Sequence, residues 1–133
     1  MSKSAIYTAN TSAQSIVPDG VINLGTVIRR FGPNIQLSGN AIQLSGQGYY
    51  DIDASFTVTP IAIGTVTITA YADNVAIPGA TASETVAAIN TTVNLSIDAL
   101  YRQICPCDDT NITFVLTGVA STVNNSAVMV DKL

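Results

Sequence analysis

Apolar and polar residues alternate most clearly between Gly48 and Val58. A period of two places the apolar set on one face of a β-strand and the polar set on the other. The stretch therefore predicts a strand with one face in a core and the other toward water or a polar contact. The predicted inward residues are Tyr50, Ile52, Ala54, Phe56 and Val58, and the outward ones are Asp51, Asp53, Ser55 and Thr57.

Shorter alternating stretches lie on both sides of this strand, separated by turn residues such as Asp73-Asn74. Two near-copies, 35–39 and 42–46, flank Gly39-Asn40, which predicts a tight hairpin. A further strand is expected over 21–28. Counted together, these segments predict about eight to ten short antiparallel strands and no convincing helix. We therefore expect an all-β sandwich or barrel, with 1–133 forming a single domain.

The last predicted strand, Ala127 to Val130, follows a polar stretch over 121–126 that reads as a loop. It carries almost no charge before Asp131-Lys132. An uncharged terminal strand at an exposed sheet edge would promote aggregation, so we expect this strand to be central in its sheet.

Charged residues make up only 11% of the chain, although 47% of it is hydrophobic. An ordinary soluble domain carries roughly 25% charged residues. The shortage of charge favours burial of surface by self-association. The alternative is a monomer whose surface is made of Ser, Thr and Asn.

The net charge of −4 indicates that nucleic acid is not the partner, because phosphate binding needs clustered Lys and Arg. The one basic pair, Arg29-Arg30, either pairs with a neighbour's Asp or lies in a solvated loop. No run of about 18 apolar residues exists, so no membrane insertion is expected. Met1-Ser2-Lys3-Ser4 lacks the apolar core of a signal peptide, which predicts synthesis in the cytoplasm.

The sequence contains no histidine, which removes the commonest general base and metal ligand. Asp51 and Asp53 share one strand face, with Cβ atoms about 7 Å apart. That spacing suits a hydrolase of the inverting-glycosidase type or a weak cation site, but the simpler interpretation is a solvated outer face, because no second acidic cluster or aromatic platform accompanies the pair. We predict a protein that is not an enzyme and needs no cofactor.

Cys105-Pro106-Cys107, followed by Asp108 and Asp109, is the most unusual local string. Two thiolates are half of a tetrahedral metal site, which three copies meeting on an axis would complete. The simpler interpretation is two thiols in a loop, because a disulfide between residues two apart is strained. Calcium coordination by this acidic segment is a further alternative.

The chain resembles the C1q/TNF-like jelly-roll family, in particular the C-terminal domains of bacterial spore-surface glycoproteins and related phage structural proteins. Three segments carry the resemblance: Gly48-x-Tyr50 with its ending Phe56-Thr57-Val58, the hairpin over 68–79, and the opening stretch 7–16. No collagen-like Gly-x-y repeat is present, unlike in the spore proteins.

The resemblance implies a ten-strand jelly roll that assembles as a homotrimer, with an inner sheet facing the threefold axis and both termini near one end. It implies a structural protein that decorates or caps a particle, on a virion or spore surface, most simply as a phage capsid decoration or fibre component bound to other structural proteins. The alternative is a trimeric receptor-binding head for a cell-surface glycan or protein. Candidates for the core or the trimer interface are Tyr50, Ile52, Phe56, Val128 and Val130.

Overall fold

The computed structural model describes residues 3–104 and 109–133, which form β-strands joined by turns and short loops. In chain order the strands are β1 (Ala5–Asn10), β2 (Gln14–Ile16), β3 (Gly20–Val21), β4 (Thr26–Phe31), β5 (Ile35–Ser38), β6 (Ala41–Ser45), β7 (Gly48–Pro60), β8 (Gly64–Ala72), β9 (Val75–Val86), β10 (Val93–Gln103), β11 (Asp109–Gly118) and β12 (Ser121–Lys132). No helix in this part of the chain has the length and apolar content needed to cross a membrane.

The strands form two antiparallel sheets that pack face to face. The first sheet has the order β10-β7-β12-β1-β4, with β2 also pairing with β12. The second has the order β5-β6-β11-β8-β9, with β3 also pairing with β11. Apart from the hairpins β5–β6 and β8–β9, neighbours in each sheet are not consecutive in the sequence. The chain therefore crosses repeatedly between the layers, as in a jelly roll.

The core lies between the two sheets and is built from the inward residues of the long strands. β7 buries every second residue from Tyr50 to Pro60, as its alternation predicts. Phe56 of β7 meets Phe114 of β11 across the sandwich, with ring centroids 5.4 Å apart and planes tilted by 57°. Tilted aromatic pairs of this kind add to the stabilisation from burial alone.

Two predicted hairpins are confirmed. β5 and β6 pair antiparallel through Gly39-Asn40, and Gly39 adopts a positive φ of 61°. Asp73 and Asn74 connect β8 to β9 with φ of 49° and 69°. Two consecutive left-handed residues give a turn whose twist matches the flanking strands, and Asp and Asn tolerate that conformation well.

Residues 3–104 and 109–133 form twelve strands, where eight to ten were expected for the chain. The strand predicted over 21–28 is wrong in its extent: β3 and β4 are separate, and Gly25 lies between them with φ of 82°. A Cβ on Gly25 would lie 2.2 Å from the carbonyl oxygen of Ala9, so a glycine is required where this segment approaches β1.

Two predicted loops are also strands. Arg29-Arg30 belongs to β4, so the solvated-loop interpretation of that pair is wrong. The polar stretch over 121–126 opens β12, because Ser121, Val123 and Ser126 turn inward around a register shift between Val123 and Asn125. An irregularity of this kind interrupts the period of two, so the sequence over 121–126 shows no clear alternation of apolar and polar residues.

β12 lies between β7 and β1, so the central position predicted for the C-terminal strand is confirmed. Ala5 pairs with Asp131, and the amide nitrogen of Leu133 donates to the carbonyl oxygen of Tyr49 at 2.9 Å. The described ends of the chain therefore lie at the same end of the sandwich.

Candidate subunit interface

The five residues proposed for the core or the trimer interface lie inside a single chain. Each is at most 1% exposed and belongs to the hydrophobic cluster between the sheets; they are Tyr50, Ile52, Phe56, Val128 and Val130. A contact with another subunit through β7 and β12 would therefore involve the residues that alternate with them on these two strands.

Those alternating residues form the outer side of the first sheet, which we call the front face. Antiparallel pairing aligns its side chains in rows across the strands. The Asp98–Arg29 row contains, in order, Asp98, Asp53, Met129, Tyr7 and Arg29. The Leu100–Phe31 row beside it contains Leu100, Asp51, Asp131, Ala5 and Phe31.

Carboxylates are concentrated toward the β10 and β7 side of the front face. Asp53 pairs with Asp98, and Asp51 pairs with Asp131. Like charges directly opposite each other in a sheet repel. A depression of about 320 Å³ opens over the first pair, between Tyr7, Met129 and the serines of β7 and β10. This side of the face is negative.

The β1 and β4 side of the same face is basic and apolar. A groove of about 200 Å³ lies there, lined by Ala5, Tyr7, Arg29, Phe31 and Met129 among others. Arg29 contacts no carboxylate in the described part of the chain; its Nη1 donates to the carbonyl oxygen of Ile28 at 3.1 Å. The face thus has an acidic side and a basic, apolar side, although Arg102 of β10 also projects on the acidic side, with its Cζ 5.6 Å from the centre of the Tyr49 ring.

Large apolar side chains are exposed on this face to a degree that a solvated surface does not require. Tyr7 and Met129 are each 40% exposed, Leu100 is 59% exposed and Phe31 is 62% exposed. Asp131 adds a carboxylate oxygen, Oδ1, that is buried without a hydrogen-bond partner. Such a combination is typical of a surface that is completed by a protein partner.

The second sheet has a different outer surface around β8 and β9. Threonine hydroxyls pair across these strands, Thr65 with Thr85 at 2.8 Å and Thr69 with Thr81 at 3.2 Å. Thr67 lies opposite Ser83 between them. Hydroxyls that bond one another and face outward suit contact with water, so the front face is the better candidate for an interface.

The predicted metal string lies mostly outside the described residues, since Cys105, Cys107 and Asp108 belong to the segment that is not described. Asp109 begins β11, is exposed, and its Oδ2 accepts a hydrogen bond from Gln43 Nε2 at 3.4 Å. Across residues 3–104 and 109–133 no three His, Cys, Asp or Glu side chains are grouped as a metal would require.

Asp51 and Asp53 lie half-buried on the front face, as the alternation predicts. Each faces another carboxylate across the strands, and the adjacent depression is lined largely by serine, alanine and methionine. The arrangement supplies negative charge and flat apolar contacts. It therefore suits protein recognition better than bond cleavage.

Sequence reasoning missed the apolar part of this face. Tyr7, Met129, Leu100 and Phe31 were not singled out, although Tyr7 and Met129 occupy the outward positions of alternating strands. The available signal was a large apolar residue at an outward position of an alternating strand.

No protein-family model matches the chain, and no curated protein matches its sequence. Solved structures share its fold. Murine APRIL at pH 5.0 is 9% identical, with 98% of this chain and 99% of that chain covered and a TM-score of 0.75. Eiger TNF from S. frugiperda is 10% identical, with 98% and 91% covered and a TM-score of 0.72.

The PRD1 vertex protein P5 is 14% identical, with 98% of this chain and 96% of that chain covered and a TM-score of 0.64. The likeness spans nearly the whole chain in each case while the identity is very low, so it concerns the architecture alone. The protein is an all-β jelly-roll sandwich of the TNF/C1q-like fold, built from two antiparallel sheets.

Proposed function

We propose that the chain is a non-enzymatic structural protein that forms a compact homotrimer. In this proposal the trimer decorates or caps a larger particle, and that particle is a phage virion. The observation that carries the proposal is the front face, on which Tyr7, Phe31, Leu100 and Met129 are exposed together. An apolar surface of this kind is stabilised when copies of the chain cover it.

The charge distribution supports self-association over binding to an unrelated partner. The face is acidic on one side and basic on the other. Two complementary sides on one surface satisfy each other when copies are arranged in a ring, because each contact then joins two different patches. The fold supports a trimer, since the TNF/C1q-like fold is typically trimeric.

A position on a virion is supported by the fold shared with the PRD1 vertex protein P5, and by the family resemblance of the sequence to phage structural proteins. A role on a virion or spore surface also suits a low-charge chain that exposes apolar side chains to contact with its copies. The partners in this proposal are sister chains and other structural proteins of the particle.

The experiment is to purify the particle from the source of the chain and to measure the number of copies per particle by quantitative mass spectrometry. A decoration or capping role predicts an abundant protein, present in a multiple of three at repeated positions. Absence of the chain from purified particles would overturn the proposal.

A trimeric receptor-binding head is the second candidate, favoured by the outer surface of the second sheet. That surface remains open in a trimer built through the front face, and it presents the hydroxyls of Thr65, Thr67, Thr69 and Thr81. This candidate predicts a scarce protein at a particle's tip that binds a cell-surface glycan or protein. Binding on a glycan array, together with low copy number, would favour it.

A further inference from the structure

We infer that the subunit contact is heterologous and joins named residues: Asp98 of one copy pairs with Arg29 of the next, and Leu100 of the first copy enters the groove beside Phe31 of the second. The occupant of the groove is thus a second copy of this chain. The inference rests on the proposed trimer and adds the contact that holds it together.

The rows of the front face support this assignment. Asp98 and Arg29 are the two ends of one row, and Leu100 and Phe31 are the two ends of the neighbouring row. A rotation about an axis that runs along the strands keeps every row at its own level. Copies arranged around such an axis therefore present Asp98 to Arg29 and Leu100 to Phe31 at matching heights.

The two charges are too far apart to help each other within one chain. Arg29 lies four strands away from Asp98 across the row, which is roughly 19 Å at about 4.8 Å per strand. Charges separated by more than about 8 Å are largely screened at physiological salt. A partner copy is the natural source of counter-charge for both residues.

The apolar parts match in the same way. Leu100 projects from β10 with 59% of its side chain exposed. Together with Val75, Ala76 and Pro78, it lines an apolar depression of about 560 Å³ where β10 approaches β9. The groove on the opposite side of the face is lined by Tyr7, Phe31 and Met129 together with the two arginines of β4. The exposed Leu100 and the apolar groove lie at opposite sides of one sheet, so they allow a head-to-tail contact between copies. Such a contact closes into a ring of three when the rotation between neighbouring copies is threefold.

The test uses the full chain and measures its mass by sedimentation equilibrium over a range of concentrations. Arg29→Asp and Leu100→Asp are each expected to weaken trimer association by about tenfold or more. Ile63→Asp is the matched control for Leu100→Asp, since Ile63 is 63% exposed but lies in the β7–β8 loop. Glu84→Arg on β9 is the control for charge reversal and should leave the trimer unchanged.

The decisive variant combines Arg29→Asp with Asp98→Arg. If the two residues pair between copies, this exchange restores association that each single reversal weakens, and circular dichroism shows that every variant retains its β-structure. If the wild type is trimeric and both Leu100→Asp and Arg29→Asp remain trimeric, this contact is overturned while the trimer stays in place. A double variant that associates more weakly than either single variant would overturn the contact in the same way. A monomeric wild type would instead overturn the proposed assembly, and this contact with it.

Discussion

Asp53 on β7 lies directly opposite Asp98 on β10, so two carboxylates face each other on the exposed side of the first sheet. Neither has an ion-pair partner in the described part of the chain. The core of the sandwich gains nothing from this arrangement, because both side chains point away from it. In the proposed trimer, this pair belongs to the acidic side of the subunit contact, and a neighbouring copy supplies its counter-charge.

Removing one of these charges should stabilise the folded chain. We expect Asp53→Asn to raise the free energy of unfolding by about 0.2–1 kcal/mol at neutral pH, because it relieves a like-charge pair. Urea denaturation at low salt measures the change, and the gain should shrink as salt is added. Asp19→Asn, in the turn before β3, removes the same charge away from this sheet face and should have little effect. Equal changes in both variants would contradict the explanation.

A buried hydroxyl on the inner side of the same sheet offers a second test. Thr8 is fully buried on β1, and its Oγ1 has no hydrogen-bond partner. Thr8→Val replaces the hydroxyl with a methyl group of similar size, so we expect the free energy of unfolding to rise by about 1 kcal/mol. Thr65→Val is the control, because the exposed Thr65 hydroxyl already bonds Thr85. A loss of stability in Thr8→Val would show that the hydroxyl has a partner.

Tyr50 predicts how stability changes in alkaline solution. Burial raises the pKa of Tyr50 above its ordinary value of 10.0, and its hydroxyl lies 2.8 Å from the carbonyl oxygens of Ser45 and Gly46. The folded chain therefore holds this proton at a pH where the unfolded chain has released it. The stabilisation is complete below pH 10 and declines as pH rises above that value.

We expect Tyr50→Phe to lose roughly 1 kcal/mol at neutral pH, because it removes a buried hydrogen bond. Its stability should also fall less steeply than that of the wild type above pH 10. An ultraviolet absorbance titration should lose one late-titrating tyrosine in the variant. Identical alkaline profiles for the two proteins would contradict the assignment to Tyr50.

Gly118 and Gly39 form a matched pair for testing backbone strain. Both have a positive φ, which is 89° at Gly118 and 61° at Gly39. A Cβ added to Gly118 would lie 2.1 Å from the Thr65 carbonyl oxygen, whereas a Cβ added to Gly39 would have no atom within 4 Å. Gly39→Ala should cost about 1–2 kcal/mol from its left-handed conformation. Gly118→Ala adds a backbone clash and should cost roughly 3 kcal/mol or more, measured by urea denaturation. Similar losses would show that the β8–β11 approach is looser than described.

The regular part of the fold was predictable from local patterns. The alternation from Tyr50 to Val58 matches the burial of β7, and the turn residues Gly39-Asn40 and Asp73-Asn74 mark hairpins that the structure contains. Each of these signals is contained in a few neighbouring residues. Local residue patterns are therefore enough to determine the conformation of this strand and of these two turns.

Irregular segments and the face itself were less predictable. A register shift interrupts the alternation of β12, and β9 continues through Pro78-Gly79, a residue pair that is typical of turns. The front face depends on the pairing of β4 with β1 and of β10 with β7, which are distant in sequence. No local pattern indicates that Arg29 shares a row with Asp98, because that relationship exists only once the sheet has formed.

The mass of the wild-type chain in solution, measured by sedimentation equilibrium at micromolar concentration, tests the central claim most directly. If the front face joins three copies, the measured mass is three times the 13.8 kDa of one chain. A single species at the mass of one chain, unchanged as concentration rises, would contradict the claim that this face is a subunit interface.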